Sequence, residues 1–195
     1  MKYQTVAILI IAILSPVLSG QASTQNGLNL IVPGQSIGQT HLGRFGARDL
    51  AKLPAPAAND SGMGKYRSVW ISKKQKGPND TLYIYSVANG PRDVQPPSGV
   101  SIELIRVTSS WYQTANGIST GKSLAQILRS FPNARPTDEK LTVYDDAGQG
   151  IAFEFAGDTN PNSLCIAIMV HPPGKMNFTT AKDVDEILRA NGIKP

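Results

Sequence analysis

The sequence predicts an α+β protein. Two repeated units, each a short helix plus an antiparallel three-stranded sheet, precede a C-terminal helix. Three observations predict it. Apolar residues recur at helical spacing twice, as Ala47, Leu50 and Leu53 and as Leu124, Ile127, Leu128 and Phe131, and a proline ends each run, Pro54 and Pro132. Each run is followed by segments that alternate with period two. At a constant offset of 78, Gly43 meets Gly121, Ala47 meets Ala125, Leu50 meets Leu128, Pro54 meets Pro132, Asp60 meets Asp138 and Tyr66 meets Tyr144.

Taken in order, Leu28–Val32 turns apolar and stops at Pro33-Gly34, and Ser36–Gly43 is a turn leading into the first helix. The stretch 54–60 is too proline-rich for helix. Strands are expected over Lys65–Ser72, Thr81–Val87 and Val100–Val107, with a turn at Gly77–Asp80 and a proline-rich loop from Asn89 to Gly99. Gly, Ser and Asn crowd 114–121, and the second helix follows over Lys122–Phe131. Strands are expected again at Leu141–Tyr144, Ile151–Phe155 and Leu164–Val170, the last being the most apolar. Thr180-Ala181-Lys182-Asp183 has the form of a capping box, and the helix it starts is expected to end at Asn191-Gly192.

The first residues have the layout of a cleaved export signal. Lys2 precedes the apolar run 6–14, Ser15-Pro16 breaks it, and small residues follow at Ser19, Gly20, Ala22 and Ser23. The run is short of the ~20 residues that a spanning helix needs. Three segments result: a signal over 1–22, a first helix-plus-sheet unit over 23–110, and a second unit with the C-terminal helix over 111–195. The expected localisation is periplasmic or secreted. Basic residues exceed acidic ones by 10 to 5 over 23–110, while 111–195 holds 8 basic and 9 acidic. A lone cysteine, Cys165, forms no intramolecular bridge, so core packing must supply stability.

The turn Thr114-Ala115-Asn116-Gly117-Ile118-Ser119-Thr120-Gly121-Lys122-Ser123, followed by a short helix ending at a proline and then a hairpin, resembles the domain shared by the SmpA/OmlA outer-membrane assembly lipoproteins and the secreted beta-lactamase inhibitor proteins. The resemblance covers most of 33–171. It implies a helical hairpin packed on antiparallel sheet, twice in tandem. The anchoring cysteine of the lipoproteins and the disulfides of the inhibitors are missing, so no functional residue is carried over.

Chemistry-bearing motifs are sparse. Gly117–Ser123 has three residues between its glycines where a phosphate loop has four. Ser119-Thr120-Gly121-Lys122 lacks the companion motifs of penicillin-binding enzymes. Only His41 and His171 could serve a triad or a zinc site. Asp158–Asn162 lacks the later glycine and acid of a calcium loop. Asp145, Asp146 and Glu154 are carboxylates that a cell-wall hydrolase could use.

The strongest binding signal is aromatic. With Val69, Ile71, Leu82 and Ile84 under a helix, Tyr66, Trp70, Tyr83 and Tyr85 would share the opposite sheet face, beside the basic tip at Lys73 and Lys74, and that face either captures a partner or packs on the second unit or the C-terminal helix. The functional expectation is a monomeric, non-catalytic interaction module of the cell envelope or extracellular space, with a protein partner. No nucleic acid, cofactor, metal or membrane span in the mature chain is expected. The alternatives are an inhibitor of a secreted hydrolase, or a cell-wall hydrolase of unrecognised type.

Overall fold

Period-two alternation decides the architecture, and the strands that lack it decide the centre. The computed structural model describes residues 27–44, 46–75, 77–88, 99–137, 142–157, 159–175 and 178–195. The export signal, most of the proline-rich loop, Asp138 and Asp158 lie outside the described residues. In chain order the elements are β1 (Leu30–Val32), β2 (Ser36–Ile37), β3 (Thr40–His41), α1 (Gly46–Leu50), β4 (Ala58–Gly62), β5 (Lys65–Ser72), β6 (Asp80–Ala88), β7 (Val100–Val107), β8 (Gln113–Thr114), α2 (Leu124–Ser130), β9 (Arg135–Pro136), β10 (Val143–Asp146), β11 (Ile151–Phe155), β12 (Cys165–Val170) and α3 (Ala181–Ala190).

Eight strands form one antiparallel sheet in the order β4-β5-β6-β7-β12-β11-β10-β9, and four short ones form a second in the order β3-β2-β1-β8. The protein is therefore mostly β. The expectation of an α+β fold with two helix-plus-three-strand units is wrong. The two halves do not build separate sheets, because β7 pairs with β12 through Val107↔Ile168, Arg106↔Met169 and Ile105↔Val170. The physical reason lies in burial. Leu104–Val107 and Ala167–Val170 are buried at every position, so neither strand has a face to give to water and both must be interior. The helices are also too short to cover two independent sheets, with five residues in α1 and seven in α2.

The second sheet arises where a plain turn was expected. Gly34 (φ +68°) and Gly38 (φ +55°) take left-handed conformations that let β1–β2 and β2–β3 fold back as tight hairpins. A Cβ on Gly34 would come within 2.8 Å of the Gln149 carbonyl oxygen and of Pro173 Cγ, so this corner packs directly against the β10–β11 turn.

Each face of the large sheet has its own core. On one face Ile84, Ile105, Val107, Phe153, Phe155, Ile168 and Val170 pack with Ile31 and Ile37 of the small sheet and with Leu124, Ile127 and Phe131 around α2. Ser123 caps α2 as the capping box requires, its hydroxyl accepting from the Gln126 N–H. On the other face Val69, Tyr83, Leu104, Val143, Ala152 and Met169 pack with Val184, Ile187 and Leu188 of α3. These three recur at helical spacing and give α3 its buried stripe. The Thr180 N–H donates to the Asp183 carboxylate at 2.8 Å to begin this helix, and Gly192 (φ +73°) follows its C-cap Asn191.

One ion pair is buried in the second core. Arg106 of β7 donates from Nε (3.1 Å) and Nη2 (2.6 Å) to Glu154 Oε2 of β11, reaching past β12. Side-chain exposures are 2% and 6%. The other oxygen, Glu154 Oε1, accepts the Ala181 N–H at 2.6 Å, at the first turn of α3. Glu154→Ala strands the guanidinium in the core, and urea denaturation is expected to show a loss of about 3–5 kcal/mol. Replacing both partners, as Arg106→Met with Glu154→Leu, is expected to recover most of that loss. A Glu154→Ala protein as stable as the parent would contradict the assignment.

Candidate binding groove

Because α3 runs across its sheet face from Glu154 of β11 to Asn59 of β4, it leaves a channel beside β4–β6. The groove holds about 720 Å³ and is lined by Asn59, Asp60, Arg67, Tyr83, Tyr85, Phe178, Thr179, Asp183, Glu186, Ile187, Ala190 and Asn191. Strands β5 and β6 deliver its floor. Val69 pairs with Tyr83 and Arg67 with Tyr85, so these four side chains point to the α3 side. Tyr83 is buried and Tyr85 half-buried. Burial pushes the Tyr83 phenol up from its ordinary value, and its hydrogen bond to Thr179 opposes the rise only in part.

Charge and closure define the walls. Asp60 pairs with Arg67 at 3.0 Å, and Asp183 and Glu186 project from α3. Three carboxylates thus face one guanidinium, in a chain whose formal net charge is +5. At the edge, the Asn191 carboxamide takes the place of a neighbouring strand. Its Nδ2 donates to the Asn59 carbonyl at 3.1 Å and its Oδ1 accepts the Asn59 N–H at 3.5 Å. That contact ties the end of α3 to β4 and protects the outer edge of the sheet there.

The six residues expected to form one binding face are divided. Tyr83 and Tyr85 lie in the groove. Trp70 pairs with Leu82 and Tyr66 with Ser86, which places both on the α2 side. There Trp70 packs against the core that contains Ile84 and Phe153. Lys74 pairs with Asp80 at 2.6 Å, and Lys73 is exposed beyond the end of β5. The expected common face assumed that Val69 and Ile71 align with Leu82 and Ile84. The true register is displaced by one, which reverses one strand's faces relative to the other. Arg67, Phe178 and Glu186 were not anticipated, although Arg67 could have been found from its alternation with Val69.

The acids considered for hydrolysis are each committed within the fold. Glu154 holds Arg106 and the start of α3. Asp146 accepts the Gln149 N–H at 3.1 Å and its side-chain amide at 2.9 Å, closing the β10–β11 turn. Asp145 Oδ1 lies 2.9 Å from His171 Nε2, with both side chains buried, and Asp145 Oδ2 has no hydrogen-bond partner among the described residues. Burial pushes the Cys165 thiol up to about 12, so it stays protonated at neutral pH. His41 Nδ1 sits 2.8 Å from Asp49 Oδ2, in a shallow pocket that also holds Arg48 and Lys52. Among the described residues no group of three or more His, Cys, Asp or Glu side chains could hold a metal ion.

Fold and groove together define a mostly β protein with an amphipathic channel between a sheet edge and its C-terminal helix. No protein-family model matches the chain, and no curated protein matches it. Among solved structures, it is similar to the uncharacterized protein yfeY from Escherichia coli. The match has 15% identity and a TM-score of 0.39, and covers 72% of this chain and 98% of that one. A likeness at that level assigns neither fold nor function. No helix among the described residues is long and apolar enough to cross a membrane.

His171 gives the fold a defined pH response. Its Nδ1 lies 3.1 Å from the Pro172 carbonyl oxygen and its Nε2 faces Asp145, so both ring nitrogens meet acceptors, an arrangement that favours the protonated ring. Burial alone would lower its pKa, but the Asp145 hydrogen bond and charge outweigh burial and raise it above 6.5. A raised folded pKa makes this contribution complete below the unfolded value and removes it as pH climbs through the folded one. Urea midpoints measured upward from about pH 6 are expected to fall, with the fall absent in Asp145→Asn. A midpoint that rises over this range would contradict the charged pair.

Proposed function

We propose that this is an exported, non-catalytic binding module that holds an extended, basic segment of a partner protein in the groove beside α3. The observation that carries the reading is the concentration of Asp60, Asp183 and Glu186 around Tyr83, Tyr85 and Phe178 in an otherwise basic chain. Tyrosine rings supply contact area at low entropic cost and keep a polar tip for backbone groups. Carboxylates along the rim attract Lys and Arg side chains and set their register. Export is supported by the apolar run 6–14 and the small residues after it. A binding role is favoured over hydrolysis because Asp145, Asp146 and Glu154 already serve structural partners.

The test is fluorescence anisotropy of a labelled alternating Lys-Thr peptide with the mature protein, and of an alternating Glu-Thr peptide for comparison. The expected result is binding of the basic peptide alone, weakened about tenfold by Tyr85→Ala and stripped of most of its charge preference by the exposed change Glu186→Lys. Equal affinity for both peptides, or indifference to both substitutions, would refute the reading.

A further inference from the structure

The chain has two tryptophans, and both line one small cleft at the other end of β5 and β6. The cleft holds about 350 Å³. Trp70, Leu82, Trp111 and Tyr112 form its apolar wall, and Asp80 and Ser109 its polar rim.

The aromatic wall is held in advance of any ligand. The Trp70 indole N–H donates to the Pro54 carbonyl at 2.8 Å, which sets its ring. Trp111 stands edge-on to Tyr112, with centroids 4.9 Å apart and planes at 72°. The Trp111 N–H donates to Ser109 Oγ at 3.3 Å, and its carbonyl accepts from Asn29 Nδ2 at 3.3 Å, so the loop is tied on both sides. Even so, Trp111 is 54% exposed. A large aromatic fixed in that position gives up its burial while its loop is ordered.

The rim selects the ligand. Asp80 on the rim is already neutralised by Lys74, a residue outside the cleft lining whose Nζ lies 2.6 Å from Asp80 Oδ1, so the polar side offers a charge-paired carboxylate and the Ser109 hydroxyl. A cation would have to compete with Lys74 for Asp80, and an anion would meet the Asp80 carboxylate. A wholly apolar ligand would strip water from the carboxylate and the hydroxyl without replacing it. A ring with a C–H face and a hydroxyl edge avoids all three costs. Its C–H bonds lie on the indole, and its hydroxyls donate to Asp80 and meet the Ser109 hydroxyl.

We infer that the cleft between Trp70 and Trp111 is a saccharide subsite that takes one neutral pyranose ring of an oligosaccharide. It lies at the far end of β5 and β6 from the α3 groove and shares none of its residues, so it stands or falls separately from the peptide-binding reading.

Tryptophan emission reports on it directly, since every indole of the chain is in the cleft. The mature protein is titrated with chitotriose, cellotriose and maltotriose, with calorimetry in parallel. A saturable emission shift is expected with at least one of the three. Trp111→Ala, which changes an exposed side chain, is expected to weaken that binding about tenfold or more, with Trp70 still reporting. Glu186→Lys in the other groove is expected to leave it unchanged. Absence of heat and of any emission change for all three sugars at about 10 mM, or binding that survives Trp111→Ala, would overturn the inference.

Discussion

The buried contact between Arg106 and Glu154 is what the remaining structure is arranged around. The two residues come from opposite halves of the chain, on β7 and β11, with β12 between them. Opposite Glu154 on β12 stands Ala167, whose methyl group leaves the carboxylate room beneath α3. Glu154 then spends its second oxygen on the Ala181 N–H. One side chain therefore joins the two runs of strands and sets where α3 begins. Apolar residues of the same volume would supply comparable stability, so the value of the pair lies in position. It fixes the helix that forms one wall of the groove.

Around that contact the sheet is sorted by polarity. β7 and β12 have no side for water and take the centre. β4, exposed at four of its five residues, takes an edge, and Asn191 occupies the hydrogen-bonding groups of Asn59 there. The hairpins at Gly34 and Gly38 supply the small sheet that shields the α2 face. Gly150 completes the corner. Its φ is +72°, and an added Cβ would collide with the His171 carbonyl oxygen, so the β10–β11 turn and the exit of β12 approach as only glycine allows.

Much of this was legible one strand at a time. β5, β7 and β11 span the residues that alternation assigned to them, and the limits of α3 follow from Thr180 and Asn191-Gly192. What alternation could not reveal was association. Strands of two or three residues, such as β2 and β9, carry too little pattern to be seen. The joining of β7 to β12 is a pairing between distant segments, to which local periodicity is blind. The candidate site suffered from the same blindness. Each alternation in β5 and β6 was right, but their relative register was off by one, and four aromatics that looked like one face belong to two. A sharper signal was present in Arg106 between Ile105 and Val107 and Glu154 between Phe153 and Phe155. Opposite charges flanked on both sides by apolar residues can be buried only together.

The division of the aromatics leaves two candidate places to bind, both proposals, with Tyr83 and Tyr85 at one and Trp70 at the other. The α3 groove holds about 720 Å³ and is lined by three carboxylates; the tryptophan cleft holds about 350 Å³. Only the first depends on α3 being fixed to the sheet. Native-state hydrogen exchange measures that attachment most directly. If Glu154 anchors the helix, the amides of Val184, Ile187 and Leu188 will open with the same free energy as those of β7 and β12, as one cooperative unit. Exchange of the α3 amides orders of magnitude faster than the strand amides would mean a helix that lifts freely, and a groove without a permanent wall.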